Sequence, residues 1–88
     1  MKIHLKTSFD SGESELDTQS RTLKDLLHEL SKKYPGERFY NRDWEDVTIN
    51  YFVDLNGKRY DDLPDELDTK LKDGDKLEIY RSGEFEED

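Results

Sequence analysis

The stretch TLKDLLHELSKKY, residues 22–34, decides the fold. Its apolar side chains recur every three or four positions and form one stripe along a helix whose other face is polar; they are Leu23, Leu26, Leu27, Leu30 and Tyr34. Thr22 is a suitable N-cap, and Asp25 in the first turn complements the helix dipole. Pro35 and Gly36 end the helix after Tyr34. The stretch therefore predicts a helix that buries one face and exposes the other.

Alternating apolar and polar residues on both sides of this helix predict strands. Before it, Met1, Ile3 and Leu5 alternate with polar residues, and residues 13–18 form a weaker second strand. After it, a long alternation from Val47 to Leu55 predicts the best strand, with Val47, Ile49, Tyr51, Val53 and Leu55 on one face. Asn56-Gly57 favours a tight type I′ hairpin, with residues 58–60 as the short return strand. Residues 76–81 alternate around Leu77 and Ile79 and predict the last strand.

Residues 37–46 join the helix to the long strand and contain three large aromatic side chains: Phe39, Tyr40 and Trp44. We expect these aromatics to close one end of the core, with room for a short helical turn. Residues 61–75 form a polar connection that contains Leu63, Leu67 and Leu71.

The order of elements is strand, strand, helix, strand, short strand, strand. A helix that follows a hairpin must cross one face of the sheet to bury its leucines, which lets the first and last strands pair in parallel at the centre. This predicts an α+β, β-grasp domain over residues 1–81, with a mixed four- to five-stranded sheet and one helix packed across it. Residues 82–88, with four acidic side chains and no periodicity, are expected to form an acidic disordered tail.

The charge is strongly acidic and unevenly distributed. The chain of 88 residues has a formal net charge of −9, of which −8 falls in residues 61–88. Nucleic acids and anionic membranes need a basic surface, so neither is an expected partner. The N-terminus has no apolar signal-peptide core and no apolar run is long enough to span a bilayer, so the expected location is the cytoplasm.

Catalytic chemistry is not expected. The absence of cysteine excludes disulfides, thiolate catalysis and cysteine zinc sites. The two histidines, His4 and His28, have no metal-ligand spacing and no nucleophile motif beside them. The acidic run over residues 61–68 lacks the spacing of a calcium loop, so we expect no catalytic residue, no metal and no cofactor.

Two stretches resemble the ubiquitin-like sulfur carriers of the MoaD and ThiS type. The helix from Thr22 to Tyr34-Pro35 is similar to the Thr-apolar-x-x-Leu-Leu helix of that family, which ends at Tyr-Pro. Residues 53–57, VDLNG, and residues 67–77, LDTKLKDGDKL, are similar to the strand that ends in Asn-Gly and to the Leu-Asp-Thr-x-Leu-x-Asp-Gly-Asp motif before the last strand.

The resemblance implies a C-terminal Gly-Gly whose carboxylate an adenylating enzyme of the ubiquitin-activating type activates and converts to a thiocarboxylate, for molybdopterin, thiamine or tRNA thiolation. This chain departs from that pattern: Ser82-Gly83 is followed by Glu84-Phe-Glu-Glu-Asp88. Ser82 and Gly83 become the carrier terminus only if a protease removes the five residues after Gly83.

The outer face of the sheet offers another site. Alternation places His4, Phe52 and Tyr80 on this face, where an aromatic patch would suit protein docking. The leading hypothesis is therefore a non-enzymatic ubiquitin-like interaction module, and the alternative is a sulfur carrier or protein modifier activated by proteolysis after Gly83. The implied partner is a protein, with an adenylating enzyme or a synthase large subunit as candidates, and the isolated chain is expected to be a monomer.

Overall fold

The structure is a computed structural model that describes residues 1–9 and 13–81. One helix, α1 (Leu23–Lys33), follows a hairpin of strands β1 (Lys2–Thr7) and β2 (Glu13–Asp17). Two short strands come next, β3 (Tyr40–Asn41) and β4 (Asp46–Val47). They are followed by β5 (Tyr51–Leu55), β6 (Lys58–Arg59) and the last strand, β7 (Lys76–Arg81). Two 3-10 helices, Tyr60–Asp62 and Glu66–Asp68, lie between β6 and β7.

The main sheet has the strand order β2-β1-β7-β5-β6. Strands β1 and β7 pair in parallel at its centre, with Leu5 opposite Leu77, and the other pairs are antiparallel. This is the predicted mixed five-stranded β-grasp sheet. Strands β3 and β4 form a separate two-stranded sheet.

Helix α1 has the predicted cap and the predicted buried face. The side chain of Thr22 accepts a hydrogen bond from the Asp25 amide at 3.2 Å, which satisfies one of the free N–H groups of the first turn. The four leucines of the stripe are at most 1% exposed, and they pack on the inward residues of the three central strands. Those inward residues are Ile3, Leu5, Val53, Leu55, Leu77 and Ile79.

The predicted long strand over residues 47–55 is wrong in its first half. Val47 pairs with Tyr40 in the small hairpin, and a turn at residues 49–50 precedes β5. Ile49, predicted to face the core, is 91% exposed. The amide of Thr48 donates to the carbonyl of Phe39, so backbone pairing with the preceding segment takes this part of the chain away from the main sheet.

The connection over residues 37–46 is this hairpin and not a helical turn. Phe39 is fully buried and its ring stacks on Phe9, with centroids 5.8 Å apart, while Tyr51 meets it edge-on. Tyr40 is also buried, but Trp44 is 82% exposed. The prediction that the aromatics close one end of the core is therefore right for Phe39 and Tyr40 and wrong for Trp44.

The β5–β6 turn has the geometry that its sequence predicts. Asn56 and Gly57 have φ angles of 54° and 83°, and both central residues of a type I′ turn need positive φ. The return strand is one residue shorter than expected, because Tyr60 begins the first 3-10 helix.

Candidate partner-binding surface

The outer face of the main sheet, opposite α1, carries mostly charged or titratable side chains in the half formed by β2, β1 and β7. Across β2, β1 and β7, Lys6 lies between Glu13 and Glu78, and His4 lies between Glu15 and Lys76. Opposite charges on neighbouring strands stabilise a sheet by about 0.2–1 kcal/mol per pair. Lys6 therefore has a carboxylate opposite it on both neighbouring strands, whereas His4 has Glu15 on one side and Lys76 on the other.

The other half of the face carries four side chains in mutual contact, which we name the Phe52 cluster: Phe52, Asp54, Arg59 and Tyr80. Phe52 is opposite Tyr80 across β5 and β7, with ring centroids 5.5 Å apart. The Arg59 guanidinium lies over the Phe52 ring at 4.1 Å from the centroid, a cation–π distance. Asp54 connects Arg59 with Tyr80, because it forms an ion pair with Arg59 at 3.3 Å and accepts a hydrogen bond from the Tyr80 hydroxyl at 3.2 Å.

Tyr80 is the most buried member of this cluster. It is only 9% exposed, although it points away from the helix. Burial and the neighbouring charge of Asp54 raise the pKa of the Tyr80 hydroxyl above its usual value of 10.0. The part of the cluster that a partner reaches is therefore the half-buried pair of Phe52 and Arg59.

His4 does not join the other two predicted residues. It is level with Lys76 on β7, four residues before Tyr80, which corresponds to about 13 Å along a strand. Its Nε2 lies 2.6 Å from a Glu13 carboxylate oxygen, and this hydrogen bond lowers the pKa of Glu13. The structure thus brings Phe52 and Tyr80 together and leaves His4 in the charged half of the face.

The remaining candidate residues behave as ordinary surface groups where they are described. The His28 ring packs edge-on against Tyr40 at 6.0 Å. Within residues 1–9 and 13–81, no group of three or more His, Cys, Asp or Glu side chains is arranged to hold a metal ion. In the same part of the chain, no helix is both long and apolar enough to cross a membrane.

The C-terminal end of β7 is tied to the rest of the domain. The amide of Arg81 donates to the Ser8 hydroxyl at 2.9 Å, and its guanidinium pairs with Glu37 at 3.7 Å. Glu37 also accepts the Tyr51 hydroxyl at 2.8 Å. The predicted carrier terminus, Ser82 and Gly83, follows this anchor and lies outside the described residues, as does the predicted tail over residues 82–88.

Sequence reasoning missed Arg59, which belongs to the Phe52 cluster, and Glu37, which pairs with Arg81 at the end of β7. A signal for Arg59 is present in the sequence: a two-residue hairpin loop at Asn56-Gly57 fixes the register, so Asp54 faces Arg59. Glu37 has no comparable signal, because its partners Tyr51 and Arg81 are distant in the sequence.

The fold and the comparisons define a ubiquitin-like β-grasp protein. The model of the ThiS family matches residues 4–80, nearly the whole described domain. The chain therefore belongs to the ThiS family, and the resemblance inferred from residues 22–35 and 53–77 is confirmed. A search of curated proteins finds no match to this chain.

Solved structures show the same fold at low sequence identity. The small archaeal modifier protein 1 (SAMP1) from Methanosarcina acetivorans has a TM-score of 0.71 at 23% identity, covering 93% of each chain. Urm1 from Trypanosoma brucei has a TM-score of 0.72 at 17% identity, covering 92% of this chain and 91% of that one. A chain of the BexX/CysO complex from Amycolatopsis orientalis has a TM-score of 0.66 at 16% identity, covering 91% of this chain and 94% of that one.

Proposed function

We propose that the protein is a ubiquitin-like carrier, of sulfur or as a protein modifier, that works through the carboxylate of Gly83 once the residues after it are removed. The observation that carries this proposal is the ThiS family match, which covers residues 4–80 and so extends from within β1 to within β7. The match favours the carrier over the interaction module that we ranked first from the sequence. On this proposal the chain is a substrate of its partner enzyme and is not itself a catalyst.

The proposal assigns a chemical role to the end of β7. A carrier carboxylate attacks the α-phosphate of ATP to form an acyl-adenylate with loss of pyrophosphate. Hydrosulfide as the sulfur donor then attacks the acyl carbon, and AMP and a proton leave to give the thiocarboxylate. The residues next to that carboxylate must be small and extended, because a Cβ would obstruct a narrow active site. Gly83 meets this need, whereas Ser82 places a hydroxymethyl group where the family pattern has its other glycine.

The anchor at Arg81 supports this role. Contacts with Ser8 and Glu37 hold the last residue of β7 in place, so the chain that follows starts from a fixed point at the edge of the domain. A fixed starting point lowers the entropy that is lost when a partner binds the end of the chain. The partner that we propose is an adenylating enzyme, and the likeness to a chain of the BexX/CysO complex supports assembly with a second protein.

The test uses a form of the protein that ends at Gly83, incubated with ATP and a ThiS-type adenylating enzyme, with the full chain as the matched control. We expect intact-mass spectrometry to detect an adenylate, and after addition of a sulfur donor a thiocarboxylate, on the shortened form alone. Replacing Ser82→Gly in the shortened form should speed the reaction. If neither shortened form gives a product, the proposal fails.

A second candidate function is protein binding through the Phe52 cluster, which the partly exposed contact between Phe52 and Arg59 supports. The suitable test is Phe52→Ala alone, because truncating the buried Tyr80 would also disturb the fold. We expect weaker capture of the adenylating enzyme with an unchanged unfolding midpoint. His4→Ala, on the charged half of the same face, is the matched control, and equal losses in both variants would exclude a specific role of the cluster.

A further inference from the structure

A cleft of about 700 Å³ lies between the C-terminal end of α1 and the β3–β4 hairpin. We name it the Arg38 cleft. Pro35 and Tyr40 form part of its wall, and Lys32, Arg38 and Arg42 contribute three cationic residues. It lies away from the Phe52 cluster and shares no residue with it.

The three cations of the cleft are exposed and are not engaged in ion pairs with any of the described residues. Two carboxylates also belong to the lining, Glu37 and Asp43. Glu37 is already occupied by Arg81 and by the Tyr51 hydroxyl, so Asp43 is the acidic group that remains. The cleft is therefore locally basic on a chain whose net charge is −9.

The backbone that presents the two arginines is held by hydrogen bonds. The Thr48 hydroxyl donates to the carbonyl of Arg38, and Asn41 Oδ1 accepts the amides of Asp43 and Trp44 at 2.9 and 3.1 Å. An Arg guanidinium binds a carboxylate through two parallel hydrogen bonds, with more geometric specificity than a Lys ammonium. Two arginines and a lysine around one cleft fit a ligand that carries several carboxylates.

The cleft is beside the point where the chain leaves the sheet. Glu37 lines the cleft and pairs with Arg81, the last residue of β7, at 3.7 Å. Any partner that receives the C-terminal end has to cover this edge of the domain.

We propose that the Arg38 cleft binds a Glu/Asp-rich segment of the protein partner, whose carboxylates pair with Arg38 and Arg42 while the partner receives the end of the chain. Charge complementarity selects an acidic segment, because the described cations of the cleft lack ion partners of their own. The identity of this partner as the adenylating enzyme rests on the proposed function, whereas the acidic chemistry of the segment rests on the cleft.

The first experiment titrates the full chain with synthetic hexaglutamate at low salt and follows backbone amide and arginine side-chain signals by NMR. We expect shifts at Arg38 and Arg42 that weaken as salt is added. The double variant Arg38→Glu/Arg42→Glu should weaken binding about tenfold or more. The matched control is Lys58→Glu/Lys70→Glu, on a different, smaller cleft. It reverses two charges that form no ion pair with the described residues, and it should leave binding within about twofold.

Three results would overturn the proposal. Shifts centred on Lys58 and Lys70 would place the acidic peptide elsewhere, and equal weakening in both double variants would show non-specific attraction. Shifts at Arg38 and Arg42 on shortening the chain to Gly83, with no peptide added, would show that the chain's own acidic residues occupy the cleft.

A second experiment measures the adenylation kinetics of the form that ends at Gly83. The Arg38→Glu/Arg42→Glu variant should raise KM for the carrier with little change in kcat, and an unchanged KM would remove the enzyme as the partner. Because the peptide titration needs neither ATP nor enzyme, a failure of adenylation leaves its result intact. The two proposals therefore fail separately.

Discussion

Truncating Phe39→Ala is expected to lower the free energy of unfolding by about 4 kcal/mol. The side chain is 0% exposed, and its ring contacts Phe9 at 5.8 Å and Tyr51 at 6.2 Å between centroids. Deleting a buried phenylalanine removes its burial and leaves a cavity, which together cost about 3–5 kcal/mol. A domain of this size has a total stability of about 4–13 kcal/mol, so the variant should be near the limit of folding.

Urea unfolding followed by far-UV circular dichroism measures this effect. With a slope near 2 kcal/mol per molar urea, the midpoint should fall by roughly 2 M. Circular dichroism is preferred to fluorescence because the matched control, Trp44→Ala, removes the chain's one tryptophan. Trp44 is 82% exposed, so its truncation should change stability by no more than about 0.5 kcal/mol.

The contrast between these two aromatics tests the packing of the whole 37–46 segment. A loss below about 1 kcal/mol for Phe39→Ala would show that its pocket is not part of the stable core. A loss above about 2 kcal/mol for Trp44→Ala would show that the exposed tryptophan is packed in solution. Either result would refute the placement of this hairpin, and with it the geometry of the Arg38 cleft that the hairpin helps to form.

Two further predictions concern the β5–β6 turn and the Phe52 cluster. Gly57→Ala should lower the free energy of unfolding by about 1–2 kcal/mol, because Gly57 has a φ of +83°. The control is Gly36→Ala: the φ of Gly36 lies outside that left-handed range, so this variant should leave the thermal unfolding midpoint unchanged or slightly raised. Equal losses of stability in the two variants would contradict this account. Stability should also fall as the pH rises above 10, since burial and Asp54 raise the pKa of Tyr80 above 10.0 and the folded state keeps a proton that the unfolded state has released. The stability that the protonated Tyr80 contributes is complete below pH 10 and is lost as the pH passes the pKa of the folded state. Tyr80→Phe should therefore reduce the decline of the unfolding free energy with pH above 10, measured by urea unfolding. An unchanged decline would exclude Tyr80 as its source.

Most of the fold was predictable because its signals are local. The stripe of leucines, the Thr22 cap and the Asn56-Gly57 turn each act within a few residues, and the sequence shows all of them directly. The central parallel pairing of β1 with β7 followed from the order of elements, since a crossover helix can cover the sheet in few ways.

The errors came from a pairing that leaves no periodic signal in the sequence. Ile49 continues the apolar alternation of β5 in the sequence. In the structure, the small hairpin ends at Val47, which pairs with Tyr40, and Ile49 follows it exposed to solvent. Periodicity alone cannot distinguish a continuous strand from two strands separated by a turn. The small hairpin itself has only two residues in each strand, too few to show a period.

The face of the sheet that carries the candidate site was predictable, but the burial of its side chains was not. Alternation placed Phe52 and Tyr80 on one face correctly, and the register of β5 and β7 makes them direct neighbours. Tyr80 donates to Asp54 on the adjacent strand β5, and Asp54 in turn pairs with Arg59 on β6, so its surroundings come from two further strands. His4 was assigned to the same patch because the face was known but the level along each strand was not.

The central position of β7 has a mechanical consequence. Strand β7 is bonded to β1 on one side and to β5 on the other, and these two strands do not pair with each other. A motor that pulls on the C-terminal end would load both ladders in shear, so their hydrogen bonds would have to break together instead of one after another. An unfolding machine that starts from this end would meet the most resistant direction of the domain, while one that starts from the edge strand β2 could peel it from β1 a few bonds at a time.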